Sequence, residues 1–168
     1  MTLQEVEAIV GGYHGDPFRV LGPHATRGRN APTGWVVRAY LPHAASAQVL
    51  VDGKAVEMEK RHDRGFFVGT LNGKPRPYRL RAVPHSGEPF EFEDPYRFRP
   101  LLTDFELHLH GEGTHFESYR TFGAHLAEVD GVTGTRFAVW APNAEVVSVA
   151  GDFNDWDTQR HPMRLRNG

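Results

Sequence analysis

Two stretches of the chain, 100 residues apart, carry the same pattern, and this internal repeat constrains the fold more than any other feature. The pairs in register are Gly34 and Gly134, Tyr40 and Trp140, Pro42 and Pro142, Ala44 and Ala144, Val49 and Val149, and Asp52 and Asp152. Upstream, Leu21-Gly22-Pro23-His24 is echoed by Phe122-Gly123-Ala124-His125 at an offset of 101. A run of matches with a common spacing indicates a duplicated module.

The second copy begins with the alternating pattern of a half-buried strand. Phe137 and Trp140 fall on opposite faces of that strand. Pro142 then interrupts the ladder, because proline supplies no N–H and fixes φ. A further strand is predicted over residues 146–150, and the polar loop 152–157 that follows carries two large aromatic rings. Aromatic rings on a polar, turn-rich loop are poorly placed for burial, so they are available for stacking.

The first copy predicts a small antiparallel sandwich, because short β-patterned runs alternate with turn signals. The predicted strands are 35–41, 47–51, 54–58, 66–71, 77–83 and 88–92. Asp52-Gly53 and Asn72-Gly73 are hairpin signals, since type I′ turns require positive φ. The capping-box pattern of Thr2 and Glu5 predicts a short leading helix. Segment 13–33, rich in Gly, Pro and His, predicts an irregular connection.

The pattern changes after residue 100, where Leu102, Phe105 and Leu109 follow helical spacing. This predicts a helix near 102–110, with one more turn around 116–121. The predicted fold class is therefore mainly β, with two tandem immunoglobulin-like antiparallel β-sandwich modules joined by a short helical connector. The expected domains are an N-terminal module over 1–100, a connector over 101–132 and a second module over 133–168, which is expected to be incomplete.

Composition excludes several function classes. The 168 residues carry a formal net charge of −2 and no cysteine. So small a charge gives no electrostatic footprint for nucleic acid or an anionic membrane surface, and no apolar run approaches the length of about 18 residues that predicts a membrane span. The lack of cysteine excludes a disulfide framework and thiolate chemistry, and it suits the cytoplasm. A neutral partner fits best.

Signals for metal or catalytic chemistry are weak. Three histidines of the connector are close in sequence, but no cysteine or nearby carboxylate completes a ligand set, so they are interpreted as exposed polar residues: His108, His110 and His115. The acidic loop lacks the glycine and glutamate of a calcium-binding loop. Its aspartates are interpreted as turn formers rather than as a carboxylate pair for glycoside chemistry: Asp152, Asp155 and Asp157. We predict no catalytic residue, metal site or cofactor.

The residue that remains is Trp156, and two interpretations of it are open. In one, Trp156 covers the edge of the sandwich core. In the other, its ring stacks on the apolar C–H face of a sugar while Asn154, Asp155 or Gln159 hydrogen-bonds to hydroxyl groups. Trp140, in a strand that faces the sheet, is predicted to belong to the core.

Several motifs carry a resemblance that covers essentially all of the chain. Phe137-Ala138-Val139-Trp140-Ala141-Pro142-Asn143-Ala144 and Gly151-Asp152-Phe153-Asn154-Asp155-Trp156 resemble the glycogen-associated β-sandwich module of the α-amylase superfamily. A second set is similar to the amino-terminal part of bacterial 1,4-α-glucan branching enzymes: Asp16-Pro17-Phe18-Arg19-Val20-Leu21-Gly22, Arg64-Gly65-Phe66-Phe67, Asp94-Pro95-Tyr96-Arg97-Phe98, Gly123-Ala124-His125 and Asp130-Gly131-Val132-Thr133-Gly134-Thr135-Arg136-Phe137. The Trp-Ala-Pro-Asn stretch is shared with debranching enzymes and trehalose-forming hydrolases, whereas the preceding module with its Asp-Pro-Tyr-Arg-Phe exit is much more specific to branching enzymes.

The resemblance implies an enzyme of glycogen biosynthesis. In that family an α-1,4-glucan is cleaved by a retaining double displacement, and the piece is transferred to a sugar 6-hydroxyl to form an α-1,6 branch. The family's catalytic carboxylates lie in a (β/α)₈ barrel beyond these modules, on which the modules are expected to pack. The piece is therefore expected to be catalytically inactive and to bind or position glycogen or linear maltodextrin. Among the family's sugar-stacking positions, the tryptophan of Asn-x-Trp maps onto Trp156.

Two alternatives stay open: a stand-alone glycogen-binding module without catalysis, and the N-terminal part of a debranching or trehalose-forming relative. The second copy, about 35 residues from Thr133, is expected to have too little core to fold alone and to present an open strand edge. Strand exchange between copies, or disorder after about Ala150, is therefore expected.

Overall fold

The computed structural model describes residues 1–27 and 32–166, and within these ranges the strands form three antiparallel sheets. The chain divides into two compact units. The first contains Met1–Arg97 and Val146–Arg164, and the second contains Phe98–Glu145 and Leu165–Gly168. The predicted mainly β class is confirmed. The predicted domain boundaries, 1–100, 101–132 and 133–168, stay a prediction.

The first unit contains one helix and two four-stranded sheets. Helix α1 spans Leu3–Val10, and the strands are β1 (Gly22–Arg27), β2 (Pro32–Tyr40), β3 (Ala44–Val51), β4 (Lys54–Glu57), β5 (Glu59–His62), β6 (Phe66–Asn72), β7 (Arg79–Pro84) and β8 (Phe90–Phe92). One sheet has the order β1-β2-β6-β5 and the other has the order β4-β3-β7-β8. The predicted capping box is present at the start of α1, where the Thr2 side chain accepts from Glu5 N–H and the Glu5 carboxylate accepts from Thr2 N–H.

The main core lies between these two sheets. Alternate residues of each strand point inward, so β2 contributes Trp35 and Val37, β6 contributes Phe67, and the opposite sheet contributes Val49 and Leu80. All five side chains are buried. Burying a side chain of this size contributes about 1.5–3 kcal/mol, so this interface dominates the stability of the unit.

The outer face of the first sheet is also covered. Tyr40 and Phe66 pack there against Ile9 and Val10 of α1. The Tyr40 hydroxyl donates to the carbonyl oxygen of Val10 at 3.3 Å, so this buried polar atom has a partner. The leading helix is therefore part of the sandwich and not a separate appendage.

The structure corrects two predictions for this module and adds a strand that was not predicted. Segment 13–33 is not wholly irregular, because it contains β1, while its residues 28–31 lie outside the described ranges. Asp52-Gly53 is a two-residue turn with φ of 49° and 71°, as predicted. Asn72-Gly73 is not a hairpin, because β6 and β7 belong to different sheets. Strand β5, Glu59–His62, has no apolar alternation, which is why it escapes the sequence pattern.

A buried carboxylate closes the C-terminal end of the first module. Asp94 accepts from the Tyr78 hydroxyl at 2.5 Å and from the backbone N–H of Tyr96 at 2.9 Å. Burial raises the pKa of Asp94 to about 6, and these hydrogen bonds oppose the rise. Burial raises the pKa of Tyr78 as well. The 3₁₀ turn Pro95–Arg97 is thereby tied to the inside of the sandwich.

The second unit contains helices α2 (Asp104–Gly111) and α3 (Ser118–Thr121) and the hairpin of β9 (Gly123–Val129) and β10 (Val132–Ala138). Both predicted helices are confirmed with shifted ends. The turn between β9 and β10 is Asp130-Gly131, with φ of 52° and 75°, a type I′ signal that the sequence analysis does not use.

The predicted repeat is confirmed in the register of two hairpins. In the first unit Gly22 faces Arg38, and in the second unit Gly123 faces Ala138, at the corresponding positions. The same side-chain hydrogen bond also recurs. His24 Nε2 lies 3.0 Å from the Leu21 carbonyl oxygen, and His125 Nε2 lies 2.9 Å from that of Phe122.

The two hairpins differ in what covers them. Strand β2 is flanked by β1 and β6, whereas among the described residues β10 pairs with β9 alone. Leu126 is accordingly 84% exposed and Trp140 is 54% exposed, so the prediction that Trp140 belongs to a core is wrong. The Trp140 ring instead contacts His110, with ring centroids 4.6 Å apart.

Replacing Tyr78 with Phe tests how much the hydrogen bond from Tyr78 to Asp94 contributes to the stability of the first unit. We expect the free energy of unfolding to fall by about 1–3 kcal/mol at pH 8, because the change leaves a buried carboxylate without its hydroxyl donor. Urea unfolding followed by the fluorescence of buried Trp35 measures this loss. Tyr13→Phe, at an exposed tyrosine of the same unit, is the control and should change stability by less than about 0.5 kcal/mol. Equal effects of the two changes would contradict the assignment.

Candidate functional site

Residues 146–164 belong to the first compact unit and fold back on themselves there. The Val149 N–H donates to the His161 carbonyl at 3.0 Å, and the Met163 N–H donates to the Val147 carbonyl at 2.8 Å. We call residues 146–164 the arm and residues 151–160 the aromatic loop. The strand predicted over 146–150 is wrong, because this stretch makes one isolated bridge, between Ser148 and Pro162. The disorder expected after Ala150 does not describe this structure either, while strand exchange stays a prediction.

The backbone of the aromatic loop turns through two successive left-handed residues. A 3₁₀ turn over Asp152–Asn154 leads to Asp155, with φ of 56°, and Trp156, with φ of 58°. A left-handed conformation at a non-glycine residue costs on the order of 1–3 kcal/mol and persists only where surrounding bonds impose it. One such bond joins the Trp156 N–H to the Gly151 carbonyl at 3.0 Å. Strain of this kind is typical of functional sites.

Asn154 holds the loop together from inside. Its side-chain oxygen accepts from the Gly151 N–H at 2.9 Å, and its amide nitrogen lies 2.9 Å from the Val149 carbonyl, 3.2 Å from the Asp157 carbonyl and 2.8 Å from His161 Nδ1. Asn154 is completely buried. The predicted hydrogen bond from Asn154 to a sugar hydroxyl is therefore not open to it in this structure, and its role is to shape the loop.

Trp156 is presented on the outside of the loop. The indole is 66% exposed, and its Nε1–H donates to the Asp152 carboxylate at 2.9 Å. This bond fixes the orientation of the ring through its edge and leaves the apolar surface of the indole accessible. Phe153 is 62% exposed and lies with its ring centroid 5.7 Å from that of His161. The interpretation of Trp156 as a cover for the core therefore does not describe this structure.

The other two predicted site residues are exposed on the same loop. The Asp155 carboxylate accepts from Arg160 Nη1 at 3.2 Å, and the Gln159 side-chain oxygen lies 3.5 Å from Arg64 Nη2. Both side chains retain further hydrogen-bonding capacity toward solvent. The roles of Asp152 and His161 are seen only in the structure. The position of Asp152, four residues before Trp156, is the sequence signal that could have identified its role. No sequence signal marks the role of His161.

His161 is neutral in this arrangement. Burial lowers its pKa, the positive charge of Arg160 lowers it further, and Asp157 opposes the shift. The Asn154 amide can donate to Nδ1 only when this ring nitrogen carries no proton. Protonation of His161 would place an N–H at Nδ1, opposite the amide N–H of Asn154. The hydrogen bond between the two side chains would then be lost.

The residues considered for metal or acid–base chemistry do not converge. Within residues 1–27 and 32–166, no group of three or more His, Cys, Asp or Glu side chains is arranged to hold a metal ion. His108 pairs with Glu112, and the rings of His110 and His115 pack beside Phe122. Each loop aspartate has a partner within the loop: Asp152 holds Trp156, Asp155 pairs with Arg160, and Asp157 accepts from the Gln159 N–H.

A helix long and apolar enough to cross a bilayer is not found among the residues that the structure describes.

The chain thus combines a small β-sandwich with a loop that displays a tethered indole. Residues 2–96 match the family described as alpha-1,4-glucan branching enzyme GlgB, N-terminal domain, and residues 121–168 match carbohydrate-binding module 48, the isoamylase N-terminal domain. The chain belongs to the family of GlgB N-terminal domains.

Curated relatives cover nearly the whole chain. Three proteins named 1,4-alpha-glucan branching enzyme GlgB are similar to it: one from Rubrobacter xylanophilus (54% identity over 167 residues), one from Paramagnetospirillum magneticum (51% over 163 residues) and one from Rhodopseudomonas palustris (53% over 165 residues). The alignments cover 98%, 97% and 96% of this chain but 22%, 21% and 22% of the respective relatives. The chain thus spans about a fifth of their length.

The lowered pKa of His161 predicts that the stability of the folded loop depends on pH. Its folded pKa lies below the ordinary value of 6.5, so the stabilisation it gives is fully present above that value and is lost as the pH falls through the lower folded pKa. We expect His161→Gln, which keeps a neutral side chain, to reduce the loss of stability below pH 6.5. Urea unfolding at several pH values measures it.

The matched control is His85→Gln at an exposed histidine of the same unit. A pH profile altered equally by both substitutions would contradict the role given to His161.

Proposed function

We propose that this chain is the non-catalytic N-terminal part of a glycogen branching enzyme and that its aromatic loop binds α-glucan. The parent enzyme would cleave an α-1,4-glucan and transfer the piece to a sugar 6-hydroxyl, forming an α-1,6 branch in glycogen biosynthesis. Family membership and the names of the relatives support this activity for the parent. The chain itself would contribute binding and positioning.

The observation that carries the binding proposal is the display of Trp156. An indole that is 66% exposed and held at positive φ is a costly arrangement for a ring with no ligand. The apolar C–H face of a glucose unit is a suitable partner for such a ring, since stacking removes apolar surface from water on both sides. The match of residues 121–168 to a carbohydrate-binding module supports the same ligand class.

Polar side chains beside the ring supply the remaining contacts. We assign the hydroxyl contacts to Asp155 and Gln159, which are exposed, and assign Asn154 a supporting role because it is buried. The first module is not expected to bind sugar in this way, because the equivalent of the aromatic loop there is the two-residue turn Asp52-Gly53.

Two further parts of the proposal concern the parent enzyme. The second unit exposes Leu126, Phe137 and Trp140, and this apolar surface supports packing of the modules on the catalytic barrel. We place the enzyme in the cytoplasm, which accords with a chain that has no cysteine.

Trp156→Ala tests the binding site. We expect the affinity for maltoheptaose, measured by isothermal titration calorimetry, to fall by about 5- to 150-fold, since one stacking contact of this type contributes about 1–3 kcal/mol. Urea unfolding should show a first unit that is still folded.

The control is Trp140→Ala, which removes an exposed indole from the second unit. Its affinity should stay within about twofold of the unaltered chain. Binding that survives Trp156→Ala, or that is lost equally in both variants, would overturn the assignment of the aromatic loop.

A further inference from the structure

Two Asp-Pro-aromatic motifs of the first module have no part in the glucan contacts described above. One is Asp16-Pro17-Phe18, and the other is Asp94-Pro95-Tyr96. Each places a 3₁₀ turn at the surface of the first sandwich. The two turns meet, since the rings of Phe18 and Tyr96 pack edge to face with centroids 5.0 Å apart.

The first motif holds the end of the arm. Arg164 donates through Nε to the Asp16 carboxylate at 3.2 Å, and its guanidinium lies 3.9 Å from the centroid of the Phe18 ring. Both side chains of the ion pair are partly buried, at 25% and 33% exposure. An ion pair combined with cation–π stacking fixes a guanidinium in both direction and plane.

The second motif holds the arm four residues earlier. The Tyr96 hydroxyl donates to the carbonyl oxygen of Arg160 at 3.4 Å. Tyr96 is itself fixed, because the buried Asp94 accepts from its backbone N–H. The lack of a side chain at Gly22 lets the backbone of Tyr96 approach closely, since a Cβ on residue 22 would lie 2.5 Å from the Tyr96 carbonyl oxygen. The hydroxyl is therefore presented by a rigid support.

Two weaker contacts hold the tip of the loop. Gln159 accepts from Arg64 at 3.5 Å, and Asp157 lies 3.6 Å from Nε2 of His43. Arg64 and His43 both belong to the first sandwich. The aromatic loop is thus attached at its end and at its tip to a module that is remote from it in sequence.

We infer that Asp16, Phe18 and Tyr96 form a socket that positions the aromatic loop for glucan, so that the first module contributes to glucan affinity without touching the sugar. This inference rests on the proposed function of Trp156. Trp156 lies four residues before Arg160 and eight before Arg164, so the socket anchors the segment that directly follows its left-handed backbone. Release of the arm at the socket frees the loop to relax and lowers the fraction of molecules that display the ring.

The experiment compares Asp16→Ala, Arg164→Ala and the double variant in the full chain. Hydrogen–deuterium exchange should become faster over residues 146–164 in each, while β2 and β6 exchange as in the unaltered chain. Affinity for maltoheptaose should fall by about two- to tenfold in each single variant, and the double variant should lose little more than the worse single one, since the two side chains act as one contact. Asp16→Glu, which keeps the charge, should restore most of the affinity.

The matched control is Arg61→Ala. Arg61 is an exposed arginine of β5, in the sheet that also contains β2 and β6, and it forms an ion pair with Glu59. It should change neither exchange nor affinity. Faster exchange throughout the first unit in Asp16→Ala, or unchanged affinity in both single variants, would overturn the socket. Failure of the proposed function has a different signature, since Trp156→Ala would then bind maltoheptaose as well as the unaltered chain does.

Discussion

The attachment of residues 146–164 to the first sandwich depends on one buried carboxylate. Asp94 lies beneath the exit of the sandwich, where hydrogen bonds from the Tyr78 hydroxyl and the Tyr96 backbone offset part of the cost of burying it. The 3₁₀ turn that follows β8 is held inward by the bond to Asp94 and by the packing of Tyr96 against the cluster that contains Tyr40 and Phe66. Because Tyr96 then contacts both Phe18 and Arg160, the same carboxylate determines where residues 146–164 can attach. The buried Asp94 carboxylate thus affects, through Tyr96, where residues 146–164 lie at the surface.

Local signals account for much of the fold. The capping box at Thr2 and the turn Asp52-Gly53 can be predicted from sequence because all their partners lie within a few residues. The same type of dipeptide misleads at Asn72-Gly73, where the chain crosses from one sheet to the other. Here the pairing of β6 with β2 decides the path, and local turn preference does not. Strand β1 is missed for a related reason, since Gly22 and Pro23 weaken its pattern while pairing with β2 creates it.

The candidate site likewise contains some residues that the sequence identifies and others that only the structure identifies. Trp156 can be found from sequence because an aromatic residue in a polar turn is visible without a structure. Asn154 has an equally polar sequence context, yet it is buried, because its partners come from both sides of the loop. The contact of Arg164 with Asp16 joins residues 148 positions apart, and no local pattern predicts it. Sequence therefore identifies what the loop displays, and only the structure identifies what holds it.

The left-handed backbone at Asp155 and Trp156 also has a thermodynamic consequence for association. The free chain has already ordered this turn, so a ligand does not have to supply the conformational entropy of ordering it. Recognition by such a rigid surface requires little adjustment of the protein, and encounter should lead directly to stacking. In the proposed glucan site, a sugar whose shape does not match this fixed indole would therefore stack poorly on it, so selectivity would follow from the rigidity of the turn.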